Sequence, residues 1–294
     1  MSQGLSHVGR RPPAAVLTHL RQEVRFHCPV PVDGSVCGSP YLTWHHFDPP
    51  WRIEHHHRVE GMIALCREHA DKADNGAYTD EQLRRFKSEA AKHETEISGR
   101  FDWMRHEIVV HAGGTFFVET PVLVEIDGIP SIWFSRNQLG ELMLNYDMPP
   151  RGRTRIQENT WIVTPGDVRE IVSPPGGRAL SVRYTNGDYF GIEYREVPDA
   201  EEFVRRFPGA ASHMSALNRL TFPVTVASIT DTTTDGRVVL HPDHTTLMGG
   251  VLRNNWLERC GVGFAISSPM PLFTEEQQRA IASAAKAYNE SGLT

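Results

Sequence analysis

Three of the four cysteines and nine of the 15 histidines of this 294-residue chain fall within residues 1–92. Side chains able to hold a metal or move a proton near neutral pH are therefore concentrated at the front. Cys28 and Cys37 bracket the segment PVPVDGSV, whose prolines and glycine can fold into a tight knuckle. Cys66 and His69 are separated by two residues at the entrance of an expected helix. One thiolate pair and one thiolate–imidazole pair suit a closed, tetrahedral Zn²⁺ site of the Cys₃His type. The competing reading is a set of unrelated buried cysteines. Against it, a block of roughly 60 residues with few large aliphatic side chains would struggle to fold without a stabilising metal. Cys260 stands far from the others and reads as a small buried apolar residue.

The long stretch between Cys37 and Cys66 holds Leu42-Thr43-Trp44-His45-His46-Phe47-Asp48-Pro49-Pro50. The order C-x₈-C-G, then L-x-x-H-H-aromatic-x-P, then L-C-x-x-H resembles the HNH endonuclease family and its ββα-metal fold. The downstream GAYTDEQLRRFK is similar to the helical tail of many bacterial members. The resemblance covers about residues 24–92 and says nothing of residues 107–294. It implies phosphodiester hydrolysis, with His45 binding a catalytic cation such as Mg²⁺ or Mn²⁺ and His46 acting as the general base. An imidazole of pKa near 6.5 is a competent base at neutral pH, and a neighbouring cation neutralises charge on the phosphate. Two positions depart from the family pattern. Gly61 stands where an Asn braces the catalytic loop, and Ala70 stands where the last His binds the cation. Asp71 is adjacent, but one helical step turns about 100° away. His55, His56 and His57 are either a solvated polar loop or the source of a replacement ligand.

Trp44, Trp51 and Arg52 could stack on or pair with DNA or RNA. Arg84, Arg85 and Lys87 give the following helix a basic side that is either a contact surface or a solvated face. No G-x-x-x-x-G-K-[ST], G-x-G-x-x-G or G-x-S-x-G motif occurs, so nucleotide-loop ATPase, dehydrogenase and α/β-hydrolase readings have no motif support.

The elements that must position these residues are legible in outline. Thr79-Asp80-Glu81-Gln82 is a capping box, with Leu83 and Phe86 on the face to be buried. After His106 the texture becomes β-branched and aromatic, and Gly, Pro, Asn and Asp punctuate it. Asn186-Gly187 marks a hairpin, residues 199–207 a short helix, and Thr274 to about Glu290 a C-terminal helix. GGVLRNNWLERCGVGFAIS resembles one rung of a parallel β-helix, although ordinary sandwich or barrel strands fit it too. The expected class is α+β: a tail over 1–23, a zinc-stabilised HNH-like module over 24–92, a linker over 93–106 and a β-rich domain over 107–294. That last domain is read as a sandwich or short β-helix-like array closing on a helix.

A net charge of −6 argues against a chain that wraps nucleic acid through overall basicity. No run approaches the roughly 20 apolar residues of a membrane helix, and the N-terminal stretch lacks a signal-peptide core. These features read as a cytoplasmic protein with no membrane partner. Three functions fit. One is a metal-dependent nuclease whose β domain targets, senses or inhibits, and the second is an inactive zinc module that binds nucleic acid. The third is a structural protein whose β domain engages a protein partner. His45 and His46 favour the first, whereas Gly61 and Ala70 favour the others.

Overall fold

A computed structural model describes residues 9–92, 96–150 and 153–267. The expected C-terminal helix lies outside the described residues. The front module runs α1 (Ala14–Glu23), β1 (Pro31–Val32), β2 (Ser35–Val36), β3 (Leu42–His46), β4 (Met62–Cys66), α2 (Arg67–Asp74) and α3 (Asp80–Glu89). β3 and β4 form an antiparallel hairpin that pairs His45 with Ile63 and His46 with Met62. Its second strand runs directly into α2. The capping box of α3 is present as read: the Gln82 amide donates to Thr79 Oγ1 at 3.2 Å and the Thr79 amide to Gln82 Oε1 at 2.8 Å.

The expected tail over 1–23 is partly helical. Leu20 of α1 and Val24 just after it are buried with Met62, Ile63, Leu83 and Phe86, so the module has a larger apolar core than residues 24–92 alone suggested. α1 also joins the module to the rest of the chain. Thr18 donates to Glu170 Oε1 at 2.6 Å and Gln22 to the Arg169 carbonyl at 2.9 Å.

The β-rich region contains β5 (Ile97–Arg100), β6 (Val109–Ala112), β7 (Thr115–Val118), β8 (Val122–Ile126), β9 (Ile129–Arg136), β10 (Leu142–Tyr146), β11 (Thr154–Gln157) and β12 (Thr160–Val163). β13 (Val168–Val172), β14 (Ala179–Tyr184), β15 (Tyr189–Val197), α4 (Ala200–Arg206), α5 (Met214–Leu217) and β16 (Val224–Asp231) follow. The described strands end with β17 (Val238–Leu240), β18 (Thr245–Leu247), β19 (Gly250–Leu252), β20 (Asn255–Glu258) and β21 (Val262–Ile266). One sheet has the order β21-β8-β9-β10-β11-β12-β5; a second runs β13-β14-β15-β16-β17-β18-β19, with β6 on β16, β7 on β6 and β20 on β7.

The expected linker therefore contains a strand. β5 closes one edge of the first sheet by pairing with β12, because Gly99 lets that edge approach Trp161, where a Cβ would lie 2.4 Å from the indole ring. The two sheets share one core that includes Ile132, Leu144 and Tyr146 from the first and Phe190, Ile192 and Ile229 from the second. On the other face of the second sheet, Phe116, Val197 and Val226 pack under Phe203 and Leu217 of the short helices. The Asn186-Gly187 hairpin forms, but only Gly187 has positive φ (+94°), so the loop is not the two-residue type I′ turn.

Within the rung-like segment β19 pairs antiparallel with β18, whereas the two strands that follow make parallel pairs. β20 runs parallel to β7, pairing Asn255 with Thr115, and β21 runs parallel to β8, pairing Val262 with Val122. The offset of 140 residues holds across both strands and the corner between them. There Glu119 and Arg259 both adopt positive φ, and Arg259 Nε donates to Glu119 at 2.7 Å. Two strand–corner–strand units thus stack in register, each crossing from one sheet to the other.

Tyr146 of the first sheet donates its hydroxyl to Asp231 of the second at 2.5 Å, and Thr233 adds its amide at 2.9 Å and its hydroxyl at 2.7 Å. Asp231 is fully buried. Tyr146→Phe removes one of its donors in a dry site, and we expect a loss of about 1–3 kcal/mol in urea unfolding. A change within error would show that this bond does not tie the sheets together.

His111, between Phe116 and Phe207 with ring centroids 4.8 Å from each, has its pKa pushed down by burial to about 4 from the ordinary 6.5. The unfolded chain therefore binds the proton more readily between these values. The contribution of His111 is fully present above about pH 6.5 and is lost as pH falls towards 4, by up to about 3 kcal/mol. We expect His111→Phe to flatten the decline of the urea midpoint across that window; an unchanged slope would refute it.

Candidate metal centre and histidine pair

The knuckle, the end of β4 and the first turn of α2 deliver Cys28, Cys37, Cys66 and His69 to one point. Their ligand atoms all lie within 4.8 Å of one another. His69 Nδ1 is 3.2 Å from Cys66 Sγ and 3.4 Å from Cys28 Sγ, and Cys37 Sγ is 3.9 Å from Cys66 Sγ. Ligands held at about 2.3 Å (sulfur) and 2.0 Å (nitrogen) around a tetrahedral ion are separated by about 3.5–3.8 Å. The group could hold a metal ion such as Zn²⁺. The Cys28 thiol donates to Cys66 and, helped by the His69 backbone amide, holds the Cys66 thiol down to about 5. That same bond and burial push Cys28 up, and burial raises Cys37. One thiolate is thus ready, and a cation would displace the remaining thiol protons. Cys260 is half-buried rather than buried, at the corner between β20 and β21, with its sulfur 3.6 Å from the Glu258 carbonyl.

His45 and His46 close β3 and are both buried. His46 Nε2 lies 3.0 Å from the His56 carbonyl, which accepts only an N–H. This fixes the tautomer and leaves Nδ1 as the basic nitrogen. Burial lowers the pKa of His46 to about 4. Trp51 lies over the ring, with centroids 4.8 Å apart. His46 is thus held by the His56 segment rather than by residue 61, and Gly61 has its own reason. Its carbonyl accepts from the Phe47 and Asp48 amides, and a Cβ there would fall 1.9 Å from the Asp48 carbonyl oxygen.

None of the three loop histidines supplies a ligand beside His45. His55 stacks on Trp51 with ring centroids 4.5 Å apart, His56 Nε2 bonds the Pro49 carbonyl, and His57 Nε2 bonds the Gly9 carbonyl. The residue that reaches His45 is Asp74, whose Oδ1 is 2.9 Å from His45 Nδ1. Asp74 lies one helical turn beyond Ala70 on α2 and so shares its face. Sequence reasoning missed it; its i, i+4 spacing from Ala70 on the helix was the signal that could have found it.

Two of the three basic residues on α3 are committed to the fold. Arg84 pairs with Asp48 and covers Phe47, while Lys87 pairs with Glu23 and donates to the Met62 carbonyl. No helix among the described residues is long and apolar enough to cross a membrane. Compared with protein-family models, curated proteins and solved structures, the chain matches none of them.

We expect elemental analysis of protein purified without added metal to find about one tightly held Zn²⁺ per chain. Cys66→Ala should release it and unfold the front module, since ion binding and folding are coupled there. Clearly sub-stoichiometric zinc in intact protein, with normal folding of the variant, would exclude a structural ion.

Proposed function

We propose that the chain is a metal-dependent phosphodiesterase of the HNH type, with Zn²⁺ at the Cys₃His group and a second cation at His45 and Asp74. The observation that carries this reading is the contact between Asp74 and His45. The helix that lacks a ligand at Ala70 brings a carboxylate to the same imidazole from one turn further on. An imidazole nitrogen and a carboxylate oxygen 2.9 Å apart suit neighbouring positions on a Mg²⁺ or Mn²⁺ ion, whose bonds of about 2.1 Å set adjacent ligands about 3 Å apart. Such a cation would supply charge neutralisation at the phosphate. His46, with Nε2–H held by the His56 carbonyl, presents Nδ1 as the proton acceptor for water. Its lowered pKa keeps it unprotonated at neutral pH at some cost in base strength. The Trp51–His57 segment covers His46, so a nucleic-acid strand must displace that segment to reach it.

The burial of His46 beneath Trp51 favours a second reading, in which the module binds nucleic acid or a protein partner without turnover. His46→Ala separates the two. Under the first reading, Mg²⁺- or Mn²⁺-dependent cleavage of DNA or RNA falls about 10²–10⁴-fold while zinc content is retained. Asp74→Asn should raise the cation concentration needed for half-maximal cleavage, and Ala70→His should restore it in that background. If the wild-type protein and Ala70→His cleave no single- or double-stranded DNA or RNA, the catalytic reading fails and the binding reading remains.

A further inference from the structure

A second site lies far in sequence from the histidines, at one open end of the space between the two sheets. Along β9 the side chains of Ile132 and Phe134 enter the shared core, and Arg136 follows two residues later on the same face. Its cross-strand partner Leu142 on β10 is one of the core-packed residues. On the opposing sheet, Tyr194 of β15 is in the core, and two residues on comes Glu196, paired with Thr225. The alternation that fills the core with apolar side chains thus places an arginine and a glutamate on the core-side faces at the same end, where both are exposed to solvent.

Between them is a cavity of about 860 Å³ whose lining includes Ile108, Val110, Phe117 and Phe134 together with Arg105, Arg136, Glu107 and Glu196. The guanidinium groups are held by uncharged partners. Arg136 donates to the His106 carbonyl at 3.1 Å and to the Gly140 carbonyl at 2.5 Å. Arg105 lies over the Trp103 ring at 5.0 Å and donates to the Met104 carbonyl at 2.9 Å. Among the described residues, none of these four charged groups forms an ion pair. Glu119 and Arg219, also at the cavity, are by contrast neutralised by Arg259 and Glu258.

We infer that this cavity is a binding site for a small amphiphilic zwitterion, a molecule with a carboxylate and an ammonium group on an apolar body. The volume lies within the roughly 300–1,000 Å³ of small-molecule sites and accommodates a dipeptide-sized ligand. Charge decides the class. A purely apolar occupant would strip water from four ionised groups and replace none of it. A polyanion would meet the carboxylates of Glu107 and Glu196. A zwitterion satisfies both signs, its carboxylate at Arg105 and Arg136 and its ammonium at Glu107 and Glu196, over an apolar floor. The inference is independent of the front module and of any cleavage by it.

Calorimetric titration of the full chain with leucyl-phenylalanine, its N-acetyl derivative and its C-terminal amide tests the inference. We expect one dipeptide per chain, with either blocked form at least about tenfold weaker. Arg136→Gln should weaken the dipeptide, and Glu196→Gln should weaken the dipeptide while leaving the N-acetyl form unchanged. Leu142→Trp, which narrows the cavity without altering charge, should weaken all three. No binding of the dipeptide at millimolar concentration to folded wild-type protein would overturn the inference. So would equal binding of the free and blocked forms, an outcome that needs no variant and is unaffected by the folding of one.

Discussion

Three sulfur atoms and one imidazole nitrogen within 4.8 Å bring the knuckle, the end of β4 and the start of α2 to one point in the front module. Three thiols at that separation cannot all ionise in the absence of a cation, and the ordering of their proton affinities, Cys66 down and Cys28 up, expresses that conflict. A divalent ion held there would turn the repulsion into attraction and tie the knuckle to the β4–α2 junction. The consequence reaches beyond the centre. Cys66 ends β4 and His69 lies in the first turn of α2, so the tetrad sits where the helix leaves the hairpin. Further along the same helix, Asp74 meets His45 on β3.

In the β-rich region the corresponding constraint is the in-register stack of two corners. β7–β8 and β20–β21 each cross between the sheets, and a constant offset ties Glu119 to Arg259 and both flanking strand pairs. Backbone at positive φ costs free energy in a non-glycine residue, and two such residues lie one above the other here. Parallel pairing on both sides of the corner offsets that cost. The exposed Arg259–Glu119 bond contributes little by itself, as exposed ion pairs generally do. The stack also means that the end of the described chain adds an outer strand to each sheet, β20 on β7 and β21 on β8. Removing residues 255–266 would leave unpaired the edges of β7 and β8 that β20 and β21 cover.

What was legible in the sequence was local. The capping box at Thr79, the short helix after Asp199 and the metal-ligand spacing depend on residues close in the chain or on strong chemical identity, and all appear in the structure. The rung-like texture of residues 249–267 was visible, but its partner 140 residues earlier was not, because TFFVETPVLVEI and NWLERCGVGFAI are identical at only two of their twelve matched positions, Val122/Val262 and Ile126/Ile266. The helix in the supposed tail was hidden by its weak amphipathicity: it buries only Leu17 and Leu20. At the histidine pair, Ala70 and Gly61 read as losses when taken one position at a time. Gly61 is required by the close approach of the Asp48 carbonyl, and the space facing Ala70 is reached by Asp74. Both explanations are three-dimensional, and neither follows from aligning single residues to a motif.

The period-2 alternation that locates the β core also shows where that core stops. Inward positions along β9 and β15 are apolar until Arg136 and Glu196, and a charge at such a position is tolerated only where water or a polar partner reaches it. If the sheets closed completely at that end, the two side chains would either pair or be replaced by apolar ones. They do neither: Arg136 is held by the His106 and Gly140 carbonyls, and the space between the sheets widens into the cavity they line. Holding a guanidinium by carbonyls orients it without neutralising its charge, which leaves it free to pair with an incoming carboxylate. A surface arginine placed only for solubility would have no need of two backbone acceptors. Arg136 is thus oriented by backbone carbonyls and left without an ion pair among the described residues.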